Sequence, residues 1–154
     1  MFQLGTKSLQ KLVGVHPDLV SVVKQAITLS KIDFAVHEGL RSIETQKEYV
    51  RTGVSKTMNS RHLTGHAVDL VPYIDGQLRW EWNPIFEIAV AMDIAAASQR
   101  VPLRWGGVWD MTMLQYGGSA YEMKKAVDEY CKRHPGPDFI DGPHFELPVS
   151  RYPT

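Results

Sequence analysis

Thirteen residues of loop-like composition, Val54 to His66, run without a break into the alternating segment AVDLVPYIDG, and this passage constrains the chain more than any other. Its second half predicts a strand that turns at Asp75-Gly76. Successive strand side chains point to opposite faces, so Ala67, Asp69 and Val71 are expected on one face, with Val68 and Leu70 on the other. A polar loop that ends in such a strand brings side chains of the loop close to those of the strand's first turns of alternation.

The rest of the chain mixes helices with short strands. Pro17 to Ser30 places Leu19, Val22, Val23, Ala26, Ile27 and Ser30 at three-and-four spacing behind a Pro-Asp start, a helical pattern. FAVHEGLR alternates before Gly39 and reads as a half-buried strand with Arg41 at its end, and SIETQKEYVRTG reads as a helix from near Ser42 to Gly53. A longer helix is expected over 84–100, with Ile85, Ile88, Ala89, Met92, Ala95 and Ala96 on one surface. LRWGGVWD reads as a strand with a Gly turn, YEMKKAVDEYCKRH as a helix and HFEL as a short strand. Repeats, low-complexity tracts and linkers are absent, which predicts an α+β fold in one domain over 1–154.

At 154 residues one core is the expectation, burying roughly two-thirds of the unfolded chain's surface. Seventeen basic residues balance 17 acidic ones without a block of either sign, so a nucleic-acid partner is not expected. Cys131 has no second cysteine for a disulfide or a thiolate metal site, which leaves imidazole and carboxylate as ligands for any metal. The segment MFQLGTKSLQKLVGV lacks the apolar core of a signal peptide, and no run of eighteen apolar residues predicts a membrane span.

His62 and His66 form a His-x3-His pair, a weak signal by itself and equally the mark of a solvated loop. The surrounding string Ser60-Arg61-His62-Leu63-Thr64-Gly65-His66-Ala67-Val68-Asp69 is stronger, because a loop ending in a strand can aim an imidazole and a carboxylate at one point. His144, at the start of HFEL and three residues after Asp141, is the best third ligand. Two histidines and one carboxylate leave a fourth position open on tetrahedral zinc, as catalysis requires.

This string resembles the first motif of the LAS-type zinc peptidases, Ser-x-His-x-x-Gly-x-Ala-x-Asp, with Ser60, His62, Gly65, Ala67 and Asp69 in place. That family includes D-alanyl-D-alanine carboxypeptidases and dipeptidases and the phage L-alanyl-D-glutamate endolysins. Asp141-Gly142-Pro143-His144 is similar to its second motif, with Asp where the carboxypeptidase branch more often has Glu, and with the stretches EGLRS, WGGVW and HFEL it looks like the endolysin branch. The resemblance implies a small antiparallel sheet with flanking helices and a zinc site in a cleft. It implies His62, Asp69 and His144 as ligands of one Zn2+, Asp141 as general base, and Arg41 as a clamp on a carboxylate of the peptidoglycan stem peptide. His66 falls on a variable position and stays outside the ligand set.

Several assignments stay open on the residues alone. Arg41 also reads as a surface arginine at a strand end, and Trp109 and Trp105 read either as cleft walls or as half-buried core. Glu146 competes with Asp141 for the base role, although orienting His144 suits it better. Ser60 and Cys131 read as structural and not as nucleophiles. The activity implied is hydrolysis of the L-alanyl-D-glutamate bond by a monomer that waits in the host cytoplasm and acts on periplasmic peptidoglycan, without membrane insertion or a separate wall-binding domain. The alternatives are a D,D-carboxypeptidase or dipeptidase of wall precursors, and a non-catalytic binding module on the same zinc fold.

Overall fold

A computed structural model of the chain describes residues 1–136 and 139–154. Among them run α1 (Thr6–Lys11), α2 (Pro17–Leu29), β1 (Phe34–Glu38), α3 (Ile43–Thr52), β2 (Ala67–Ile74), β3 (Gln77–Leu78), α4 (Trp82–Gln99), β4 (Arg104–Trp105), β5 (Val108–Thr112), α5 (Ala120–Arg133) and β6 (His144–Glu146). Short 3-10 turns lie at Arg61–Thr64 and Met113–Gln115.

Local chemistry accounts for most of these boundaries. Pro17 opens α2, where His16 Nδ1 accepts from the Asp18 amide at 3.1 Å. Ser42 caps α3 by accepting from the Thr45 amide, and the helix stops at Gly53. Ser119 and Glu122 form a reciprocal capping box at the start of α5. Asp75 and Gly76, both with positive φ, join β2 to β3 in a two-residue hairpin. The long helix starts at Trp82, two residues before the expected 84, with the Trp82 ring packed edge-on against Trp105 at 6.3 Å.

The strands form one sheet in the order β1-β2-β6-β4-β5, with β3 added to β2, and every pairing is antiparallel. The last strand in the chain thus lies in the middle of the sheet. Residues directly opposite in antiparallel strands share a face. Val68, Phe145 and Trp105 form one cross-strand row, all fully buried, with the Phe145 and Trp105 rings stacked at 6.3 Å. That face meets α4, which is apolar over most of its circumference and packs between α2 and α5. Asp69 lies opposite His144 on the other face, and Ala67, Glu146 and Arg104 make the next row along it. The charged rows thus lie on the face of the sheet opposite the buried Val68-Phe145-Trp105 row. No helix among the described residues is long and apolar enough to cross a membrane.

Candidate metal centre

Ser60 opens the 3-10 turn by accepting from the His62 amide at 3.2 Å, and Gly65 closes it. Gly65 has φ +76, and a Cβ there would stand 2.4 Å from the Gly14 carbonyl oxygen, so conformation and space both require glycine. The turn swings His62 over the start of β2. His62 Nδ1 lies 2.8 Å from the Gly39 carbonyl oxygen, which can only accept, so Nδ1 carries the proton and Nε2 is free to ligate.

His62 Nε2 lies 3.2 Å from Asp69 Oδ1, and His144 Nδ1 lies 3.3 Å from the same oxygen. One donor atom from each of the three residues falls within 4.8 Å of the others. Edges of 3.2 and 3.3 Å are those of atoms about 2.0 Å from a shared tetrahedral centre, so the donor set fits a divalent ion such as zinc. His144 Nε2 donates to Glu146 Oε1 at 2.9 Å, which turns Nδ1 toward Asp69. Carbonyl and carboxylate partners on the far ring nitrogens are the usual way of orienting ligating histidines.

Electrostatics couples these groups tightly. Burial works to raise the Asp69 carboxyl, but hydrogen bonds to His144 and His62 outweigh it and hold the group well below the usual carboxylate range. Burial pulls His144 down, and its bonds to Asp69 and Glu146 overcome this and push it up to about 10. Asp141 moves the other way from Asp69: burial raises it and the Asp69 charge adds to that, against the opposing pull of His144, His62 and Arg41.

The triad opens into a cleft of about 550 Å³, large enough for a short peptide, which Asp141, Arg41 and Trp109 also line. Asp141 is fixed by its backbone, donating to the Gly106 carbonyl at 2.8 Å while its own carbonyl accepts from the His144 amide at 3.1 Å. Gly106 permits this approach, since a Cβ there would lie 2.2 Å from the Asp141 oxygen. The Trp109 ring tilts over His144 at 5.1 Å, with Nε1 donating to the Phe139 carbonyl. Lys56 above the Phe139 ring and Trp80 against His37 form parts of the rim.

Arg41 is not a surface arginine. Only 8% of its side chain is exposed; Nε donates to Glu38, one terminal nitrogen to Gln46 at 2.6 Å and Ser60 at 3.4 Å, and the other lies 3.9 Å from Asp69 Oδ2. Its guanidinium also covers the Tyr49 ring. Gln46, fully buried, passes the chain of bonds on to Ser55 and Thr57. Sequence reasoning missed Glu38 and Gln46; the only available signal was a polar Gln inside a short helix. Of the two readings open for Trp105 the core one holds: it is fully buried on the opposite face and donates Nε1 to the Gly142 carbonyl at 2.6 Å. Glu146 lines the cleft, but one oxygen is committed to His144. His66 turns away from the triad toward Thr64, His16 and Tyr152.

The sequence matches the family model described as phage L-alanyl-D-glutamate peptidase over residues 1–148. It is 30% identical over 113 residues to the L-alanyl-D-glutamate peptidase of Escherichia phage T5, covering 71% of this chain and 82% of that protein. A peptidase of the same name from Listeria phage A118 is 29% identical over 94 residues, 58% of this chain and 32% of that longer protein. Among solved structures, the Serratia marcescens L-Ala D-Glu endopeptidase ChiX superposes with a TM-score of 0.74 at 39% identity, covering 97% of this chain and 92% of that one.

Proposed function

The chain belongs to the phage L-alanyl-D-glutamate peptidase family, and from that premise we propose that His62, Asp69 and His144 hold one zinc ion at which it cuts peptidoglycan during host lysis. It is a hydrolase of the L-alanyl-D-glutamate bond of peptidoglycan stem peptides. The observation that carries the zinc reading is the shared Asp69 oxygen, 3.2 and 3.3 Å from two imidazoles whose far nitrogens are already occupied.

A bound zinc ion supplies Lewis-acid polarisation of the scissile carbonyl and acidifies water at neutral pH. Asp141 is the proposed general base: its carboxylate takes a proton from the attacking water and passes it to the leaving amine. Its place in the cleft beside the three converging donors puts it within reach of that exchange. Arg41 is the proposed substrate contact on the β1 side of the cleft, through the one terminal nitrogen that Glu38, Gln46 and Ser60 leave unheld. Trp109 offers a ring face as the opposite wall, its Nε1 being occupied. Glu146 holds His144 in orientation.

The reading takes residues 1–154 as one peptidase domain, supported by the family match over 1–148, and takes the protein to act as a monomer. It places the protein in the host cytoplasm before lysis and at the periplasmic peptidoglycan afterwards, the expected route for a phage endolysin. The test is digestion of purified Gram-negative peptidoglycan, with metal content measured in the same preparation. New D-glutamate amino termini, together with one zinc per chain, are expected. Release of free D-alanine alone would replace the reading with a carboxypeptidase, and intact peptidoglycan with metal bound would replace it with a binding module.

A further inference from the structure

One cation on the ligand face has no partner among the described residues. In the row Ala67, Glu146, Arg104, the arginine stands on the same face as Asp69 and His144, one row along, while its neighbour Trp105 points into the core. Arg104 is half-buried and lines the cleft, yet among the described residues its guanidinium has no hydrogen bond or ion pair. The nearby carboxylate does not absorb it, because Glu146 Oε1 is engaged with His144 and no ion pair joins Glu146 to Arg104. The other guanidiniums in the cleft have most of their donors engaged. Arg61 donates to the carbonyls of Leu147 and Tyr152, and Arg41 is held by Glu38, Gln46 and Ser60. A half-buried guanidinium with no partner among the described residues, set in a substrate cleft, is suited to receive an anion.

The strand order says which end of the substrate it meets. Arg41 follows β1, the ligands sit on β2 and β6, and Arg104 lies on β4 across the triad from Arg41. Asp141 is tied by its amide to Gly106, in the turn that follows β4, so the group assigned to protonate the leaving amine lies on Arg104's side. The residue that departs with that amine is the glutamate. It carries two carboxyl groups and the chain continues through one of them, so the other remains a free carboxylate.

We propose that Arg104 receives this free carboxylate of the leaving-side glutamate and thereby sets the enzyme's preference for an acidic residue after the scissile bond. The proposal rests on the peptidase reading above. A guanidinium fork can meet both carboxylate oxygens in parallel, whereas a carboxamide offers one acceptor and an opposing N–H pair.

The experiment compares two soluble peptides containing the L-alanyl-D-glutamate bond, identical except that the glutamate's free carboxylate is converted to a carboxamide in one. Wild-type protein, Arg104→Met and Arg104→Lys are assayed on both, with metal content and melting temperature recorded. Wild type is expected to prefer the acid by about 10- to 100-fold in kcat/KM, the worth of one charge-assisted contact. Arg104→Met should lose that preference, mainly through KM on the acid, and cleave the amide as wild type does. Arg104→Lys should recover part of it. Equal loss on both peptides, or an unchanged preference in Arg104→Met, would overturn the proposal. Because the preference is also read in wild type, an unstable variant leaves the test intact: wild type that cleaves both peptides equally well overturns the proposal while leaving the peptidase reading standing. Wild type that cleaves neither, with metal bound, overturns the peptidase reading and the proposal with it.

Discussion

Glu146 accepts a hydrogen bond from Nε2 of His144 at 2.9 Å, and that bond decides which ring nitrogen faces Asp69. Removing the acceptor frees the ring to rotate and leaves a buried N–H unpaired. Glu146→Ala should weaken zinc binding about 10- to 100-fold in competition with a chromophoric chelator. Glu146→Gln keeps an oxygen acceptor and should lose much less. Undiminished zinc affinity together with abolished hydrolysis in Glu146→Ala would move the base role from Asp141 to Glu146.

Asp141 lines the cleft without being one of the three converging donors. Asp141→Ala should keep the metal content of wild type and lower turnover by about 100-fold or more, read as kcat on a soluble peptide at saturating concentration. Loss of metal in this variant would reassign it as a ligand.

His144 gives the metal-free protein a pH signature. Its folded pKa is pushed up to about 10 from an ordinary value near 6.5, so its paired, charged form contributes stability that is complete below pH 6.5 and lost as pH rises through 10. The melting temperature of metal-free protein should therefore fall between pH 7 and 10, by more than in Glu146→Gln, where the anionic partner is gone. Metal must displace the same proton. Titration calorimetry at pH 7.5 in buffers of different ionisation enthalpy should show proton release on binding, and its absence would contradict a charged His144.

Gly106 touches the Asp141 backbone too closely for any side chain, with the Trp109 ring at 3.1 Å from the same Cβ position. Gly106→Ala should cost about 1–3 kcal/mol in chemical denaturation and depress activity further by displacing Asp141. Gly5→Ala, with open space around the added carbon, should stay within about 0.5 kcal/mol of wild type.

Elements whose signals are local were legible in the chain. Ser42 and Gly53 bracket α3, and Asp75-Gly76 makes the hairpin, because caps and turns are chosen by residues within a few positions of one another. The helix Thr6–Lys11 was not foreseen. It has no side-chain cap, and it is held instead from across the fold, where Ser8 Oγ accepts from the Val36 amide at 3.0 Å. The turn at Arg61–Thr64 also escaped notice within a loop-like stretch, although Ser60 and Gly65 bound it. At the site, the three converging residues could be named because they lie in short, regular spacings. The company of Arg41 could not, since Glu38, Gln46 and Ser60 come from a strand, a helix and a loop that meet only in the folded chain. Trp105 and Trp109 stand four positions apart around one Gly-Gly turn, and the pairing of Trp105 with Phe145 decides which of them enters the core.

The rings of His62 and His144 are anchored at their far nitrogens by a backbone carbonyl and a glutamate, neither of which depends on an ion. Ion capture then calls for no rearrangement beyond the departure of a proton. Such a protein can be made, stored and transported as an empty scaffold, taking up its metal wherever supply permits, and a chelator should switch it off and restored ion switch it on again without a refolding step in between.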